Sequence, residues 1–166
     1  MFKVGDFVVY GHNGVCEVKK IGTLETLTAE KDRMYYTLVP CRSKDSTVFA
    51  PVDGRKVPLR DVMTEKEALD LIDAMNGIAE LQIREEKKRE ETYKEAIKTC
   101  DGKELVKLMK TIYRRKTRRE AQGKKMTSAD SRYFKAAQDA LYNELAVSLQ
   151  IPAEEVHEFI KEKLGK

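Results

Sequence analysis

The side chains able to do chemistry are few and scattered. The chain holds two histidines, His12 and His157, and three cysteines, Cys16, Cys41 and Cys100. His12 stands four residues before Cys16, a spacing that could form a thiol–imidazole pair. His12, however, lies in the turn signal Gly11-His12-Asn13-Gly14, and Cys16 lies in an apolar strand run. A turn histidine and a buried thiol are the expectation. Glu154 and His157 have the Glu-x-x-His spacing that can place two metal ligands on one helix face. A di-metal site needs a second such motif and further acids, and only one is present. The cysteines form no C-x-x-C pair, so neither a zinc site nor a disulfide framework is expected. No glycine-rich phosphate loop, G-x-S-x-G or H-E-x-x-H occurs. The expectation is a protein with no catalytic residue, no metal, no cofactor and no small-molecule substrate.

The charge pattern carries the stronger signal. The net charge is +4 over 166 residues, but it is unevenly spread. Residues 1–65 hold ten Lys/Arg and nine Asp/Glu, whereas residues 103–125 hold ten basic and two acidic side chains. At about 100° per residue, Lys103, Lys107, Lys110, Arg114 and Arg118 fall on one helix face. Leu105, Leu108, Met109 and Ile112 fall opposite. A solvated helix normally mixes signs to limit self-repulsion. This ridge of cations is expected to be unrelieved by acids at helical spacing, which is easiest to understand if phosphates relieve it. Arg115 and the loop lysines Lys124 and Lys125 extend the patch. Such contacts grip a nucleic-acid backbone rather than read bases.

The elements that must carry these residues divide into two textures. From Val4 to about Val62 short apolar runs alternate with turns. Strands are predicted at Phe7–Tyr10, from Val15 to Ile21, Met34–Val39, Ser46–Ala50 and within Val57–Val62. This predicts a small curled sheet or barrel. At Thr64 the texture turns helical. Thr64-Glu65-Lys66-Glu67 is a capping box, and Asn76-Gly77 ends the first helix. Further helices are predicted over Ala79–Thr99, Lys103–Ala121 and Ser128–Leu149, with Pro152 at the first position of a last one. Within the second, Glu85–Arg89 and Glu90–Lys94 are spaced to pair across one turn. The expected class is α+β, with a sheet domain over 1–63 and a helical domain over 64–166. No apolar run approaches the roughly 18 residues of a membrane span, and no hydrophobic leader is present, so a cytoplasmic location is expected.

The pattern of the first part is specific in order and spacing: Phe2-Lys3-Val4-Gly5-Asp6, Val8-Val9-Tyr10, His12, Gly14-Val15, then Val48, Pro51 and Leu59-Arg60-Asp61-Val62. It resembles the N-terminal domain of the CarD/CdnL family of bacterial transcription regulators, a domain related to one in transcription-repair coupling factor. Ile112-Tyr113-Arg114-Arg115 and Asn143-Glu144-Leu145-Ala146 extend the resemblance to about Leu149. The resemblance implies a Tudor-like β-barrel docked on the RNA polymerase β subunit through a sheet edge. It also implies a helical domain that touches promoter DNA at the upstream edge of the melted region. Family members typically wedge a tryptophan into the minor groove. This chain has no tryptophan, and Glu86 falls at the corresponding position. The basic pair after the wedge is kept as Lys88-Arg89. Leu24 and Phe49 stand where some relatives place polymerase-contacting arginines.

Together these readings give Lys88, Arg89, Lys107, Lys110, Arg114, Arg115, Arg118, Lys124 and Lys125 as candidates for DNA. For polymerase the candidates are Tyr35, Tyr36, Thr37, Leu38, Val39, Thr47, Val48, Phe49 and Ala50. The expected partners are the RNA polymerase β subunit and promoter DNA, with no membrane. An RNA- or ribosome-associated protein and a protein-only adaptor are the alternatives.

Overall fold

The structure is a computed structural model describing residues 1–25, 32–54 and 56–165. It divides into two compact units, residues 1–62 and 63–166.

The first unit is an antiparallel sheet of five strands: β1 Phe7–Tyr10, β2 Val15–Gly22, β3 Tyr35–Pro40, β4 Val48–Pro51 and β5 Leu59–Asp61. Their spatial order is β4-β3-β2-β1-β5, so β4 and β5 are the edges and the sheet does not close into a barrel. Of the two expected forms, the curled sheet is the one observed. Burial alternates strictly along β3, where Tyr36, Leu38 and Pro40 point inward. That is the signature of a sheet with one packed face and one open to water. Val8, Tyr10, Cys16, Val18, Tyr36, Leu38 and Ala50 form the packed face. The β1–β2 connection needs Gly11. Its φ is +50°, and a Cβ there would collide with Val57. The pairing of β2 with β3 slips between Val18 and Lys20, an irregularity that increases local twist. Pro40 belongs to β3 rather than following it, and Ser46 and Thr47 precede β4 rather than forming part of it.

The second unit is helical: α1 Glu65–Ala74, α2 Arg89–Thr99, α3 Gly102–Ala121, α4 Ser128–Leu149 and α5 Val156–Lys163. Thr64 caps α1 in a reciprocal box: Thr64 Oγ1 accepts from Glu67 N at 3.1 Å and Glu67 Oε1 accepts from Thr64 N at 3.2 Å. Thr127 caps α4 by accepting from Asp130 N at 3.1 Å. Ile72, Leu105, Leu108, Ile112, Leu141 and Leu145 are the largest fully buried aliphatic side chains of the core.

One helix differs from the sequence expectation. The segment predicted as helical from Ala79 begins as an extended strap, followed by a single 3-10 turn at Glu86–Lys88, and α2 starts only at Arg89. Burial along the strap alternates, with Leu81 and Ile83 half-buried and Gln82 and Arg84 exposed. Tertiary bonds replace helical ones: Leu81 N donates to Thr111 Oγ1 at 2.9 Å, and Ile78 O accepts from Lys110 Nζ at 2.6 Å. Laying the strap on α3 buries apolar side chains that a continuous helix would leave in water.

Candidate nucleic-acid interface

The cationic ridge lies on α3, whose apolar stripe drives its packing. Leu105, Leu108 and Ile112 are almost fully buried, which turns Lys103, Lys107, Lys110, Arg114 and Arg118 outward. The ridge is not uniformly available. Lys107 pairs with Glu104 at 3.0 Å, one turn earlier on the same helix. Lys110 is spent on the strap carbonyl of Ile78. Arg114 pairs with Glu80 at 3.1 Å, although it remains 69% exposed. The expectation of a row unrelieved by acids at helical spacing is therefore corrected. Glu104 relieves Lys107, and Glu120 lies 3.8 Å from Lys116. The side chains of Lys103 and Arg118, at the two ends of the row, make no hydrogen bond or ion pair among the described residues. The same holds for the ammonium groups of Lys88, Lys124 and Lys125, all exposed.

Arg115 faces inward. Its Nη1 donates to Asp130 Oδ1 at 3.1 Å and Oδ2 at 3.0 Å. Asp130 is 1% exposed. Asp130 sits in the first turn of α4, so this pair fastens the second half of α3 to the start of α4. Arg89 is also engaged. Its Nε and Nη2 donate to the two oxygens of Glu86 at 2.9 and 2.6 Å, and its Nη1 donates to Tyr93 OH at 3.1 Å. A bidentate guanidinium–carboxylate pair of this kind is strong and directional. The hydrogen bond to Glu86 raises the pKa of Arg89 still further. Reciprocally, the bond from Arg89 holds the Glu86 carboxyl below the usual carboxylate range, and the charges of Arg89, Arg115 and Arg118 add to it. The expected Glu85–Arg89 and Glu90–Lys94 pairs are replaced. Arg89 takes Glu86, while Glu90 meets Arg132 at 3.2 Å and accepts from Tyr133 OH at 2.9 Å. Tyr93 and Tyr133 meet edge to face with centroids 5.5 Å apart. Burial pushes the Tyr93 hydroxyl pKa up.

On the sheet, Tyr36, Leu38 and Ala50 are core residues at 2%, 0% and 0% exposure. Their side chains hold the sheet together. Tyr35, Thr37, Val39 and Val48 are half-buried, and Thr47 and Phe49 are exposed. Strand β3 is paired on both sides, by β2 and β4, whereas β4 has a strand on one side only.

Among the described residues no three His, Cys, Asp or Glu side chains converge as a metal site, and no helix is long and apolar enough to cross a membrane. His157 is exposed, with Nδ1 3.3 Å from Tyr142 OH. Cys16 is buried in β2. Sequence reasoning did not single out Asp130, Glu144 or Tyr133, which are buried on α4. Glu144 accepts from Met63 N at 2.8 Å, and Ser148 Oγ donates to Met63 O at 2.6 Å. For Glu144 the signals were its place in the run Asn143-Glu144-Leu145-Ala146 and its position one turn from Leu141 and Ser148 on the apolar face.

A five-stranded antiparallel sheet followed by a separate helical unit with a cationic face defines an α+β protein of two parts. Residues 2–63 match the CarD-like/TRCF RID domain, and residues 70–161 match the CarD C-terminal domain. The chain belongs to the CarD family and is a CarD-like, transcription-associated protein. No curated protein matches it.

Proposed function

We propose that this chain is a non-enzymatic regulator of transcription initiation. It binds the RNA polymerase β subunit through its N-terminal sheet and promoter DNA phosphates through its helical unit. The observation that carries the reading is the presence of both CarD-family domains, in family order, in one chain. Of the two edge strands, β4, which begins at Val48, displays Phe49 and pairs with a strand on one side only, is the one assigned to strand addition. Of the DNA candidates, Lys88, Arg118, Lys124 and Lys125 are the ones whose side chains make no hydrogen bond or ion pair among the described residues, and Lys103, at the start of the row, joins them. Arg114 belongs at the margin. Arg89 and Arg115 act first as internal ties. Holding polymerase and DNA together would raise the effective concentration of each for the other and stabilise the open complex without chemistry.

The test uses two variants of the full chain. Arg118→Glu/Lys124→Glu/Lys125→Glu is expected to lower duplex-DNA affinity at least tenfold and to flatten the salt dependence by about three phosphate contacts. Co-purification with polymerase should survive. Phe49→Glu is expected to do the reverse. DNA retention unchanged in the triple variant would reject the assigned patch.

The protein-only adaptor is the second reading, favoured by the internal pairing of Lys107, Lys110, Arg114 and Arg115. It predicts no steeply salt-dependent DNA binding at all. Competition between duplex DNA and structured RNA separates the RNA-associated alternative.

A further inference from the structure

The helical unit carries a long groove on the side of α3 where Met109 and Tyr113 lie. Its floor is α3 from Val106 to Ala121, one wall is the strap around Ile78–Glu80, and the other is Phe134, Leu141 and Tyr142 of α4. The volume is about 1100 Å³, and the groove lies open to solvent. Tyr113, in its floor, is 60% exposed, and it is the one large hydrophobic residue so exposed among the described residues of this unit. The charged residues lining the groove are Lys110, Arg114, Arg118 and Glu80, three cations and one anion.

We propose that this groove is the docking site for an acidic amphipathic α-helix of a partner protein. Shape argues for a helix. The groove-lining positions Val106, Met109, Tyr113, Thr117 and Ala121 advance along α3 in steps of three and four, so they form one continuous, straight face along which the apolar stripe of an amphipathic helix can lie. Fifteen steps at 1.5 Å give a floor about 22 Å long, enough for roughly four turns. Met75 and Met109 supply pliable walls of the kind that helix-binding grooves use. A small ligand fits less well, because such sites bury most of the ligand's surface and this groove lies open along its length. Charge argues for acids on the partner's flanks, since the excess of cations on the rim would repel a basic helix. A second copy would have to insert a side chain of its sheet unit, such as Phe7 or Phe49, because among the described residues the helical unit exposes no second large apolar side chain.

The test is NMR titration of the full chain with a peptide of about 15 residues carrying leucines at i, i+3 and i+7 spacing and glutamates on the flanks. Saturable binding is expected, with shifts centred on Met109, Tyr113, Thr117 and Phe134. Tyr113→Ala and the groove-filling Thr117→Trp should each weaken binding about tenfold or more. Their melting temperatures and duplex-DNA affinity should stay at the parent values, which separates this proposal from the DNA reading. Equal binding of a scrambled peptide, or of one with lysine flanks, would overturn it. So would saturable binding of laurate in place of the peptide, or self-association of the chain that Thr117→Trp abolishes.

Discussion

Asp130→Ala isolates the tie that holds the cationic helix in place. The Asp130 carboxylate is 1% exposed and meets Arg115, which is 26% exposed, at 3.0 Å. At that separation and an effective dielectric of about 20, the attraction is roughly 5 kcal/mol before desolvation is subtracted. Removing one partner of a buried pair costs about 3–5 kcal/mol, because the other charge is left without compensation. Water reaches Arg115 partly, so the expected loss is about 2–4 kcal/mol. For a unit of this size each kcal/mol shifts the melting temperature by about 4–8 °C. Far-UV circular dichroism of the full chain should therefore show the helical transition fall by roughly 8–32 °C. The double replacement Arg115→Met/Asp130→Leu should recover most of the loss, since a packed apolar pair of similar volume replaces a buried ion pair at little cost. A melting temperature within about 2 °C of the parent for Asp130→Ala would refute the reasoning. Charge reversal at Arg115 also ceases to be a clean probe of DNA binding, because it would set two carboxylates against each other in the core.

Glu86→Gln should release Arg89 and remove an anion from beside Arg115 and Arg118. Duplex-DNA affinity is expected to rise severalfold, with a salt slope steeper by up to about one phosphate contact, and fluorescence anisotropy at several salt concentrations measures both. The Glu86 pKa is lowered in the folded chain, so its stabilising contribution is present above the unfolded value and is lost as pH falls through the folded one. The gap in melting temperature between parent and Glu86→Gln should hence be present at pH 7 and close in strong acid. A gap that persists in acid would contradict this. Gln150 ends α4 with a positive φ of 57°. Gln150→Gly should raise the melting temperature by a few degrees, reflecting about 1 kcal/mol of relieved left-handed strain, and an unchanged or lowered value would contradict that.

Local signals in the sequence were enough for the sheet and four of the five helices. The Thr64 capping box and the apolar stripe of α3 depend on residues within a turn or two, so spacing alone reveals them. The start of α2 was misread because the charge run Glu85–Glu91 suits an exposed helix. The segment before it obeys a two-residue alternation at Leu81 and Ile83 instead, and it is anchored through Thr111 and Lys110, 30 and 32 residues away. The ridge was visible as a row of cations, but its internal partners were only partly so. Glu104 lies within one turn of Lys107. Glu80 and Asp130 reach Arg114 and Arg115 only after folding. Arg115 shows the limit most clearly: its neighbours in sequence are basic, and nothing local marks it as the member that turns inward.

The two unpaired ends of the row, Lys103 and Arg118, are fifteen residues apart, about 22 Å along a straight helix. That span is wider than either groove of B-form DNA, at about 6 and 12 Å, and shorter than one full turn of about 34 Å. A duplex touched by both ends would thus be held at phosphates about 22 Å apart, farther than the width of either groove. Cleavage footprints would then show two protected patches separated by an open gap.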